Sequence, residues 1–208
     1  MATASKTLSK ADQELVVEQK LQKLKELYAD APEVGRAALT KGLPMLMEEL
    51  AAAGRAQTAG RIGARQGKVS ELTVFLPFVK GGAKRLRGLL QLLEGNFRAA
   101  DAVGTVHDMR FVFVDNDTKL LFATAYDGDF DPYIEDFAAK IPNAMDLWLS
   151  NFEGWPGMRN PSAAKDWIAK HQIAAEAWYV NSPNLTAPET RRLEKVGKAV
   201  EELLDKVG

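Results

Sequence analysis

TVHDMRFVFVDNDTKLLFATAYDG, from Thr105 to Gly128, decides the fold. Two runs rich in β-branched and aromatic residues, Val106 to Val114 and Lys119 to Tyr126, flank Asp115-Asn116-Asp117, residue types that tolerate a tight turn. The stretch predicts a β-hairpin. Side chains alternate across a strand, so His107, Met109, Phe111 and Phe113 should share one side and Val106, Asp108, Arg110, Val112 and Val114 the other. In the second strand Leu120, Phe122 and Tyr126 oppose Leu121, Ala123 and Ala125. Both sides are oily, and each calls for a cover, because an apolar patch beyond a few hundred Å² is rarely left bare on a soluble monomer.

Upstream, ELTVFLPFV reads as a strand, with Leu72, Val74, Leu76 and Phe78 against Phe75 and Val79, and GGAKRLRGLLQLLEG reads as a helix between glycines. Downstream, Pro132 suits a first helical position with Asp131 as its N-cap, and a second helical stretch runs from Pro142 to Asn151. After the loop FEGWPGMRNP, SAAKDWIAKHQ is helical and AAEAWYVNSP reads as a fourth strand. Thr186 and Glu189 form a capping box around Pro188 that opens a last helix to Lys206. From Leu72 to Pro183 the order is strand, helix, strand, strand, helix, strand, the pattern of a ferredoxin-like βαββαβ core in an α+β protein. Its crossover helices cover one sheet face. The other face needs the same face of a second subunit, the chain's own N-terminal helices, or a bound apolar molecule; a homodimer is expected, since twofold dimers are the commonest oligomers.

The N-terminal part is helical. Ser9 and Asp12 are spaced as a capping pair, Val17, Leu21, Leu24 and Tyr28 recur at helical intervals, and a break falls at Ala31-Pro32. Val34 to Ala53 is a second helix, with Pro44 as a kink or a start. Gly54 to Lys68 holds four glycines and four basic residues and reads as a linker. The expected organisation is a helical extension over 1–53, a Gly/Arg-rich linker over 54–69, and a ferredoxin-like domain with a C-terminal helix over 70–208.

Among the 208 residues, 27 basic side chains nearly cancel 28 acidic ones, so no whole-protein field would gather nucleic acid. The absence of cysteine excludes disulfides, thiolate nucleophiles and thiolate metal sites. A polar N-terminus and the lack of an apolar run near ~18 residues argue against a signal peptide or a membrane span, and the expected location is the cytoplasm.

LTVFLPFVKGGAKRLRGLL, VHDMRFVFVDNDTKLLFATAYDGDFDPYIEDF, NFEGWP and WIAKHQIAAEAWYVNSPNLT, spanning about residues 72–186, together resemble a family of little-characterised proteins in the dimeric α/β-barrel group of ferredoxin-like folds. The resemblance rests on His107 and Arg110, on Tyr126-Asp127-Gly128 with Tyr133 and Asp136-Phe137 downstream, on the turn from Asn151 to Pro156, and on His171-Gln172 before Trp178-Tyr179. It implies a barrel-like pocket between sheet and helices, in a group that also holds haem peroxidase-like and chlorite dismutase-like proteins and cofactor-free monooxygenases. Asp108-Met109 departs from the family's pattern beside the histidine.

The candidate site residues each carry two readings. His107 suits a haem ligand or a general base, and equally a histidine hydrogen-bonded at a sheet end. Arg110, expected across the sheet from His107, either pairs with Asp108 or clamps a ligand carboxylate. His171 either caps a helix C-terminus or reaches a cofactor. Trp155, in a Gly-Trp-Pro loop, is the aromatic expected at a pocket mouth, while Trp148 and Trp178 read as core. The alternating carboxylates of Asp127, Asp129 and Asp131 do not form an EF-hand, whose sixth and twelfth places fall on Pro132 and Ala138. GRIGARQGKVS lacks the spacing of a phosphate loop.

The functional expectation is an oxidoreductase or small apolar-ligand-binding protein, haem-binding and peroxidase-like, with His107, Arg110, Tyr126 and Asp127 as catalytic residues, His107, Trp155 and His171 at the cofactor, and no metal site. The alternative is a noncatalytic assembly protein whose N-terminal helices cover the sheet or dock a partner.

Overall fold

The computed structural model describes residues 10–52 and 57–207. Two compact units divide between Arg55 and Ala56. The first unit pairs helices α1 (Lys10–Leu27) and α2 (Glu33–Ala52), which pack on one another. Between them the Ala31 amide donates to the Tyr28 carbonyl at 3.2 Å, a turn that places the break where Ala31-Pro32 predicts it. Pro44 lies inside α2 and does not start it. Of the capping pair read at Ser9 and Asp12, Ser9 lies outside the described residues.

In the second unit a five-stranded antiparallel sheet has the order β1-β2-β3-β5-β4, built from β1 (Gln57–Thr58), β2 (Ala64–Gln66), β3 (Val69–Pro77), β4 (Val106–Val114) and β5 (Lys119–Asp127). Six helices accompany it among the described residues: α3 (Gly82–Leu93), α4 (Arg98–Val103), α5 (Phe130–Lys140), α6 (Pro142–Leu149), α7 (Pro161–His171) and α8 (Ala187–Val207). The protein is therefore α+β. No helix among the described residues is long and apolar enough to cross a membrane.

The β4–β5 hairpin forms as read, and its turn places Asp115, Asn116 and Asp117 at φ of 52°, 53° and 63°. With β5 in the centre, Leu72 faces Thr124 and Val74 faces Phe122 on one side, while Phe111 faces Phe122 on the other. These side chains share a face. Leu72, Val74, Leu76, Leu120 and Tyr126 are buried there against Leu86 of α3, Ile134 and Phe137 of α5, Leu149 of α6 and Ile168 of α7. The opposite face is less oily than alternation alone suggests: Glu71 is 4 % exposed, with its carboxylate taking the Ala64 amide at 3.1 Å and the Thr73 hydroxyl at 3.1 Å.

Three sequence readings need correction. The span read as a linker carries β1 and β2, because Gly60, Gly63 and Gly67 sit at φ of 81°, 88° and 60°, where they form tight turns. At Gly67 a Cβ would also stand 2.4 Å from the Pro183 carbonyl oxygen. The start of that span, residues 54–56, lies outside the described residues.

The fourth strand expected over 174–183 does not form. β2 already pairs with Val69 and Ser70 at one end of the β3 edge, leaving only an isolated bridge from Gln172 to Val74 at the other. Finally, α5 begins at Phe130 with Asp129 in the N-cap place, ahead of the predicted Asp131. Buried Phe130 donates its amide to the Ala59 carbonyl at 2.9 Å, which turns the chain into the helix before Pro132 arrives.

The Thr186–Glu189 capping box is present: the Thr186 amide donates to the Glu189 carboxylate at 2.7 Å, and the Glu189 amide to the Thr186 hydroxyl at 3.3 Å. Lys68 donates to the same carboxylate at 2.8 Å, and with the Thr186 bonds it lowers the Glu189 pKa from its ordinary 4.5 to about 2. A depressed carboxylate stabilises the fold fully above its unfolded pKa, and the gain is lost as pH falls towards 2. Glu189→Gln should therefore melt below the native protein at pH 6, and the gap should close as pH is lowered from 4.5 to about 2, followed by circular dichroism.

Candidate functional site

At its N-terminal end β4 does not keep a simple alternation. Val106 faces Tyr126 and Asp108 faces Ala125, so a β-bulge inserts His107 without a partner on β5. The bulge is pinned from the core side, where the Thr124 hydroxyl donates to the Asp108 carbonyl at 2.8 Å. Thr124 thereby commits its only proton, and Tyr133 donates to the Thr124 oxygen at 3.3 Å.

The bulge moves His107 off the Met109 and Phe111 face on which alternation placed it. Its Nε2 lies 2.7 Å from Asp127 Oδ1, and Asp127 Oδ2 accepts the Ala187 amide at the start of α8 at 3.0 Å. His107 and Asp127 thus connect the sheet end to the last helix. Arg110 lies on this side too, contrary to expectation, and pairs with Asp108 at 3.6 Å in an ion pair whose side chains are 63 % and 55 % exposed. Such an exposed pair is worth about 0–1 kcal/mol.

Tyr126 is fully buried, stacked on Tyr133 with ring centroids 3.8 Å apart and planes 15° from parallel. Burial pushes both phenols well above their ordinary 10, so both remain protonated at neutral pH. Among the described residues the Tyr126 hydroxyl has no hydrogen-bond partner.

Trp155 and His171 gather elsewhere, around Trp167. The Trp155 indole donates to Asp146 at 2.9 Å and its ring meets Trp167 edge-on at 5.1 Å. His171 donates from Nδ1 to the Trp167 carbonyl at 2.8 Å, a bond within the last turn of α7, and its ring lies 4.4 Å from that of Trp167. Trp155 is packed partly against the core rather than standing at a pocket mouth.

A haem needs an open slot with an axial ligand aimed into it. Neither His107 nor His171 lines the groove between α3, α4 and α6 or the apolar void beneath it. Neither histidine is therefore placed to ligate a haem held in that groove or void. Among the described residues no three His, Cys, Asp or Glu side chains are placed to share a metal ion.

This apolar groove lies away from all of the sequence candidates. The groove, of about 450 Å³, runs between α3, α4 and α6, lined by Leu89, Leu93, Phe97, Ala144 and Trp148. Leu92 is 85 % exposed and Leu147 60 % at its edge. Its floor is shared with an inner void of about 40 Å³ through Met109, Phe137, Met145 and Trp148. Arg98 and Asn96 supply polarity to the lining, and the Arg98 side chain makes no hydrogen bond or ion pair with a described residue.

The sequence does carry a trace of the groove. LLQLL holds more leucines than the stripe that buries Leu86 needs, whereas the six-residue α4 gives little periodicity to read. No known protein family, curated protein or solved structure matches the chain.

If Asp127 and Tyr126 serve the fold, two substitutions should move stability in opposite directions. Asp127→Ala, which strips partners from His107 and Ala187, should cost about 1–3 kcal/mol in urea denaturation. Tyr126→Phe, which removes a buried hydroxyl without a partner among the described residues, should be neutral or stabilising by up to about 1 kcal/mol.

Proposed function

We propose that the protein binds a small, elongated apolar molecule with an anionic head, held in the groove between α3, α4 and α6 of a ferredoxin-like core. The observation that carries this reading is the groove itself: about 450 Å³ of largely apolar space with, at its lining, an arginine side chain that pairs with no described residue. That volume falls within the range of small-molecule sites. Leu89, Leu93 and Trp148 would take the apolar body and Arg98 the head. Met109 and Met145 are flexible side chains between groove and inner void, so a longer ligand could deepen the site by displacing them.

The core assignment draws on the order β3-β5-β4, which matches the first, third and second strands of the ferredoxin-like pattern with a helix between the first and second. The groove lining holds no carboxylate, histidine or buried nucleophile, which favours binding over catalysis.

Two fluorescent probes separate head from body. An anionic probe, anilinonaphthalene sulfonate, and a neutral one, Nile red, should both bind the native protein with saturable enhancement. Arg98→Glu should weaken the anionic probe by roughly fivefold, the size of an exposed ion pair, and leave the neutral probe unchanged. Ala144→Trp, which fills the groove from an exposed position, should weaken both. Binding of both probes that ignores both substitutions would overturn the assignment.

A further inference from the structure

The last helix leaves an apolar stripe in water. Along α8, Leu193, Val196, Val200, Leu203, Leu204 and Val207 are 53, 51, 49, 61, 64 and 76 % exposed. Leu193, Val196, Val200, Leu203 and Val207 follow the alternating three- and four-residue steps of a helix–helix seam. The first turn, by contrast, is fixed to the sheet domain: Ala187 is 5 % exposed and bonded to Asp127, and Glu189 is paired with Lys68.

The charges indicate the partner. Five basic and five acidic residues cancel over α8: before Val200 stand Arg191, Arg192, Lys195 and Lys198 with Glu189 and Glu194, and after it Glu201, Glu202 and Asp205 with Lys206. Glu189 in the first turn and Lys206 in the last suit the helix macrodipole, which falls off beyond the end turns and so does not account for the basic excess before Val200 and the acidic excess after it. A neutral helix without an aromatic side chain on its apolar stripe is also poorly suited to an anionic membrane.

We propose that α8 pairs with α8 of a second copy of this chain, antiparallel, with Val200 at the twofold axis. Antiparallel pairing sets the basic half of each helix beside the acidic half of the other. Leu193 then stands level with the partner's Val207 and Val196 with the partner's Leu204, while Lys195 is level with the partner's Asp205 and Lys198 with the partner's Glu202. The 21-residue helix is about 31 Å long, so this arrangement also holds the two sheet domains at opposite ends. A parallel pair would instead crowd them at one end.

The chain has no cysteine, so single-cysteine variants of the full-length protein report the geometry directly. Val200→Cys should form a disulfide-linked dimer under mild oxidation at roughly 100 µM, a concentration suited to a small interface. Leu193→Cys should crosslink at least about tenfold more slowly, because antiparallel helices separate its two copies by about 21 Å. In sedimentation the native protein should approach twice its chain mass at high concentration, whereas Leu203→Glu, altered at an exposed position, should keep its circular dichroism and stay monomeric. A native protein that stays monomeric, Leu193→Cys crosslinking as fast as Val200→Cys, or a dimer indifferent to Leu203→Glu would each overturn the proposal.

Discussion

The bulge between Val106 and Asp108 governs the polar chemistry at the end of the sheet. An inserted residue in an antiparallel ladder has no cross-strand partner, and its side chain is freed from the alternation of its neighbours. Here the freed residue is His107, which turns to Asp127, and the displaced Asp108 carbonyl is taken by Thr124 from the core side. Asp127 holds both His107 and the first amide of α8, so a single carboxylate ties together edge strand, central strand and last helix. A histidine used this way orders a junction.

The same arrangement shapes the core. Tyr133, which completes the support of the bulge through Thr124, stacks on Tyr126, and the pair fills the space beneath the β4 end. Farther along β4 the filling is a cluster in which Phe111 meets Phe97, Phe122 and Trp148 at 5.8, 5.1 and 4.5 Å. Trp148 and Phe97 of this cluster are also walls of the apolar groove. The groove is thus the outer margin of the core, where α3, α4 and α6 do not close over their own leucines. Aromatic packing below gives it a stiff base, and the neighbouring methionines give it room to adapt.

Much of the fold was legible because its signals are local. The strands around Asp115-Asn116-Asp117, the helix at Leu86 and the capping box at Thr186 and Glu189 each depend on residues close in sequence. The readings that failed depended on distant partners. Nothing near Ala174 says that β2 already occupies the β3 edge at Val69 and Ser70, and glycines at 60, 63 and 67 look alike whether they loosen a linker or shape a hairpin. The site was least legible, since His107 changes sides through a bulge that period-two counting cannot detect, and the groove is assembled from three helices, one of them α4, only six residues long.

The most direct measurement of where this protein receives a ligand is a titration of isotope-labelled protein with decanoate, followed by amide chemical shifts. Saturable shifts should concentrate on Leu89, Leu93, Phe97 and Ala144 through Trp148, with His107 and Asp127 unmoved. Shifts centred on His107 and Asp127, or no saturable shifts at all, would contradict an apolar site at the margin of the core.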